Sequence, residues 1–102
     1  MEVREHAKKR MRERCGLPKR AIERNAEIAL RDGLKHAECT GRLKKYVDYL
    51  FLSHKKGGKI RLFNNHVYIF TVKEELITVV PLPKAHRDAV KKTIKRRKSD
   101  DA

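Results

Sequence analysis

Residues 67–82 form a long stretch that is nearly free of charge outside the turn at Lys73, Glu74 and Glu75. Any core has to be built around it. Val67, Tyr68, Ile69 and Phe70 run without a polar break. A continuous apolar run of this kind marks a strand covered on both faces, where a half-exposed strand would alternate. It predicts a central strand with other layers above and below. The flanking segments supply its neighbours. Lys59 and Arg61 alternate with Ile60 and Leu62, as side chains do along a strand. Asn64-Asn65 tolerates positive φ and predicts a tight hairpin into a strand over 66–72. Lys73, Glu74 and Glu75 make a charged turn into a last strand over 76–82, which Pro81 and Pro83 stop.

Helical spacing precedes and follows this block. Val3, Ala7, Met11 and Cys15 recur every four positions and predict a helix over 2–15. Gly16 is a natural end for it, and Pro18 suits the first turn of the next. The second helix runs to Asp32 with Ala21, Ile22, Ala26, Ala29 and Leu30 inward, and Gly33 ends it. A polar link over 35–41 follows. Leu43, Tyr46, Val47, Leu50 and Phe51 then predict a third helix, whose YLFL end also suits the start of a strand. Gly57 and Gly58 mark the change of period. Residues 84–97 predict a final helix with a thin apolar stripe (Ala85, Ala89, Val90, Ile94), and 99–102 a frayed tail. The fold class is α+β. Two or three N-terminal helices pack on a three- to four-stranded antiparallel meander, with a basic C-terminal helix, in a single domain over 1–98.

Charge points to the partner. The 102 residues include 27 Lys and Arg against 13 Asp and Glu, a formal net charge of +14. Like charges repel in the compact state, so such an excess calls for a polyanion, and nucleic acid is the commonest. A chain this short supports one modest core. Cys15 and Cys39 stand 24 residues apart with no CxxC pair, so the expectation is reduced thiols and no zinc. No metal or other cofactor is expected. The N-terminal MEVREHAKKRMRERCG lacks the apolar core of a signal peptide, and no run approaches the ~20 residues of a membrane span. A cytoplasmic protein without membrane contact is expected. The sequence holds no Walker loop, HExxH, Gly-x-Ser-x-Gly or acidic metal cluster.

His6, Ala7, Arg10, Met11 and Arg14, followed by the Gly16-Leu17 turn, a second helix and the meander KIRLF, HVYIF, LITVVPL, carry a likeness. The chain resembles the small BrnT- and RelE-type bacterial ribonuclease toxins and related uncharacterised bacterial and phage proteins. It departs from them in its third helix and in the link LKHAECTG. The resemblance implies RNA binding and metal-independent RNA cleavage by a translation-inhibiting toxin, with an acidic antitoxin or host protein as a further partner.

The residues make a chemical case of their own. His6, Arg10 and Arg14 fall at i, i+4 and i+8, each three positions after a member of the apolar row. They border the buried stripe. Metal-independent RNA cleavage needs an acid, a base and fixed positive charge on the phosphate. Histidine titrates near neutrality, and arginine clamps phosphate bidentately. His6 and Arg10 are therefore candidate catalytic residues. His36, in the polar link near Thr40 and Gly41, is the partner to set beside His6. The competing reading is an ordinary helix histidine among solvated cations, since nine of the first 24 residues are Lys or Arg. His54, His66 and His86 suit capping or phosphate contacts. Arg14, Lys59, Arg61, Lys91, Lys92, Lys95 and Arg96 are candidate nucleic-acid contacts. Tyr68 and Phe70 suit the core better than base stacking, and Thr78 is placed at a cleft. Three functions stay open: a toxin-type endoribonuclease, a non-catalytic RNA- or DNA-binding module, and a phage or mobile-element inhibitor of a host nucleic-acid enzyme.

Overall fold

The computed structural model describes residues 19–54 and 57–100. The expected first helix, with His6, Arg10, Arg14 and Cys15, lies outside the described residues. The elements are α1 (Lys19–Asp32), β1 (Leu34–Lys35), a 3-10 turn (His36–Glu38), α2 (Gly41–Ser53), β2 (Lys59–Phe63), β3 (His66–Phe70), β4 (Leu76–Pro81) and α3 (Lys84–Asp100). The four strands form one antiparallel sheet in the order β1-β2-β3-β4. The α+β class, the meander and the C-terminal helix are as the sequence pattern predicts. The helices, however, flank the sheet on both faces.

That sandwich explains the apolar run. On one face Ile22, Ala26 and Ala29 of α1 pack on Tyr68, Phe70, Leu76 and Val79. On the other, Leu43, Val47 and Leu50 of α2 and Val90 of α3 pack on Ile60, Leu62, Val67 and Ile69. β3 thus buries both rows of its side chains, and Val67–Phe70 are all buried. The alanines let α1 approach closely. Where α1 ends, a Cβ on Gly33 would come within 2.4 Å of the Ala29 carbonyl oxygen, so only glycine fits there.

The turns follow local chemistry. Asn64 and Asn65 both take positive φ, at 50° and 61°, and close β2 onto β3 in register, Phe63 opposite His66. Glu74, at φ 70°, turns β3 into β4. Ile69 faces Thr78 while Phe70 faces Leu76, so Ile77 is an extra residue and bulges β4.

Three boundaries differ from expectation. A two-residue strand, Leu34–Lys35, leads into the polar link, because Leu34 is buried opposite Leu62 and needs a place in the sheet. The YLFL segment stays helical to Ser53, since Leu50 completes the buried row of α2 while Leu52 stays outside. The final helix runs past residue 97 to Asp100, with no glycine or proline after Pro83 to break it.

Candidate nucleic-acid interface

α3 lies on the sheet by Val90, with Ala89 and Ile94 beside it. Its opposite face carries Lys91, Lys92, Lys95 and Arg96, all exposed. Positions i, i+1, i+4 and i+5 share one side of a helix, so the four charges form a single patch. None of them makes an ion pair or side-chain hydrogen bond with another described residue.

α2 runs alongside α3. The Tyr46 and His86 rings stack at 4.7 Å, and the guanidinium of Arg97 reaches Glu38, just before α2, at 3.5 Å. Early α2 therefore meets early α3, while the segment before α2 meets late α3, and the two helices are antiparallel. Arg97 also donates to the Asp32 carbonyl at 3.1 Å, joining α3 to the end of α1. The solvent side of α2 presents Arg42 and Lys45, both exposed and without an ion pair among the described residues. Two adjacent helices thus present cations on one side of the molecule.

The two expected contacts on β2 are placed otherwise. Arg61 turns to the α1 face, where Nε donates to the Leu30 carbonyl at 3.3 Å and Nη1 to the Ile60 carbonyl at 3.0 Å. It closes the C-terminal end of α1, whose last carbonyls lack helical partners. Lys59 pairs with Glu74 at 3.6 Å. Neither belongs to the α2/α3 surface. Thr78 is buried opposite Ile69, and its hydroxyl has no hydrogen-bond partner among the described residues.

His36 has a defined setting. Its Nε2–H donates to Asp48 Oδ1 at 2.5 Å, and its ring lies 5.5 Å from that of Phe51. Lys44 donates to the other Asp48 oxygen at 3.0 Å. The hydrogen bond from His36, then that from Lys44, hold the Asp48 carboxyl below its ordinary range. His36 faces α2 and Arg61 faces α1, so the sheet separates the two side chains. His6 and Arg10 lie outside the described residues. The other histidines have local partners. His54 donates to the Leu50 carbonyl at the end of α2, His66 to the Asn64 carbonyl in the hairpin, and His86 stacks on Tyr46.

Cys39 is a free, buried thiol that donates to the Lys35 carbonyl. Burial first, then Glu38 and Asp48, push its pKa up to about 11, so it is a packing group and a poor nucleophile. No group of three or more metal-binding side chains occurs among the described residues, and no described helix is long and apolar enough to cross a membrane.

Sequence reasoning missed Asp48, Arg42 and Lys45. Asp48 lies 12 residues from His36, a separation that no periodicity announces. Arg42 and Lys45 were legible as the polar side of the predicted third helix. Comparison with protein-family models, curated proteins and solved structures returned no match.

Proposed function

We propose that this protein binds nucleic acid, RNA in the first instance, through the solvent faces of α2 and α3. The observation that carries this reading is the patch of Lys91, Lys92, Lys95 and Arg96, exposed together on a helix whose other side is anchored in the core. Charges that serve the fold are engaged here, as Arg61 and Arg97 are. These four have no such partner among the described residues, and a phosphate backbone is the partner that uses a row of exposed cations. The resemblance to BrnT- and RelE-type toxins favours RNA over DNA, and the absence of an apolar signal-peptide core in the N-terminal sequence supports a cytoplasmic location.

Binding measured by fluorescence anisotropy over about 50–200 mM salt tests it. With about five phosphates neutralised, log K falls against log salt with a slope of roughly −3.5 to −4.5. A flat salt dependence would sink the reading.

One observation favours a cleaving version of the same function. Asp48 orients the His36 ring through Nε2, as an acid–base histidine needs, and leaves Nδ1 for proton transfer. In that version His36 works with His6 and Arg10 in a metal-independent endoribonuclease. RNA cleavage in EDTA, lost on either His36→Ala or His6→Ala by about 10²-fold with affinity retained, is the expected result. Undiminished cleavage by both variants would remove it and leave a binding protein.

A further inference from the structure

The solvent side of α2 carries more than charge. Arg42, Lys45, Tyr49 and Leu52 fall at i, i+3, i+7 and i+10, turned away from the buried Leu43, Val47 and Leu50. Tyr49 is 67% exposed and Leu52 78%. An aromatic ring and an aliphatic side chain left open on the polar side of a helix contribute nothing to the core. They lie in line with two cations, and α3 adds its own patch alongside.

Resting on the nucleic-acid reading above, we propose that this stripe is a base-stacking platform, and that the protein's ligand is a single strand rather than a duplex. A duplex keeps the faces of its bases stacked inside and offers phosphates and edges. An exposed phenol ring finds no partner there. A single strand has free base faces, which stack on aromatic side chains whatever the sequence. Tyr49 takes a base and Leu52 extends the apolar surface one turn on. Arg42, Lys45 and the α3 patch hold the flanking phosphates. Charge also selects the occupant: a second copy would bring another +14 against this surface, whereas a polyanion is attracted to it.

The test compares three probes of equal length, a single-stranded RNA, its duplex, and an abasic strand that keeps phosphates and lacks bases. The intact chain binds the single strand tightest. Tyr49→Ala weakens that binding by roughly 5- to 100-fold and leaves the abasic strand and the duplex unchanged. Tyr49→Leu, which keeps apolar bulk without the ring, behaves as Tyr49→Ala, and Tyr49→Phe retains affinity. Arg42→Ala with Lys45→Ala weakens all three probes. Equal, salt-dependent binding of the three probes would overturn the single-strand proposal and leave the electrostatic reading standing. So would a Tyr49→Ala effect that is absent or the same for every probe. If that variant instead lost binding to an acidic amphipathic peptide while keeping RNA, the stripe would be a protein contact and the proposal wrong. Failure of the intact chain to bind any strand overturns both readings.

Discussion

β2 and α3 carry the same cationic chemistry and put it to opposite uses. On β2, Arg61 is turned under α1 and spends its donors on two backbone carbonyls, and Lys59 pairs with Glu74. On α3, Lys91, Lys92, Lys95 and Arg96 stand in solvent. The difference is one of layers. β2 is covered on both faces, so a long side chain leaving either face meets protein. α3 is an outer layer, so half of its surface meets only water. Counting basic residues cannot distinguish the two cases. α3 is nonetheless part of the fold. Its apolar stripe is thin, but Val90 is buried, Ile94 packs on the core and Arg97 ties it to Asp32 and Glu38. Removing residues 91–102 therefore disturbs the fold as well as the charge, and point substitutions are the sharper instrument.

The largest effect belongs to the covered sheet. Phe70→Ala, at a fully buried position under α1, is expected to cost about 3–5 kcal/mol in denaturant unfolding. Lys92→Ala is expected to stay within about 0.5 kcal/mol, as exposed substitutions do. Similar costs for both would mean that α3 is not an outer layer. Next comes charge removal on α3. Neutralising Lys91, Lys92, Lys95 and Arg96 to Gln together should flatten the salt slope of RNA binding by roughly 3, at about 0.7 per phosphate on a single strand. Thermal unfolding should barely change. An unaltered slope would move the interface elsewhere.

Arg61→Ala sharpens the contrast from the other side. It should lower stability by about 1–3 kcal/mol through the two carbonyls left without their charged donor, and leave RNA affinity unchanged. Loss of affinity with stability intact would return Arg61 to the binding surface. The smallest effect concerns Asp48. Its pKa is lower in the folded chain than its ordinary 3.8, so the stability it contributes is fully present above that value. It is lost as pH falls through the lower folded value. Asp48→Asn should remove this part of the acid sensitivity, leaving a shallower decline of melting temperature below about pH 4. An unchanged acid limb would show that the pairing with His36 and Lys44 does not bias folding.

Local chemistry in the sequence was enough for most of the fold. The alternation of Lys59–Phe63, the Asn64-Asn65 turn, the unbroken Val67–Phe70 run and the inward Ile22, Ala26 and Ala29 of α1 each rest on short-range geometry, and each of these elements forms where that geometry puts it. The net charge and its concentration in the helices were equally legible. Tertiary structure alone decided which face of the sheet each helix covers. It therefore decided that Arg61 is enclosed while Lys92 is free, and that His36 faces Asp48 across 12 residues. It also drew Leu34 into the sheet, where it pairs opposite Leu62 at long range. Helix and strand periods record which side of an element is buried. They carry no term for what lies on the other side, because that depends on contacts between residues far apart in the chain.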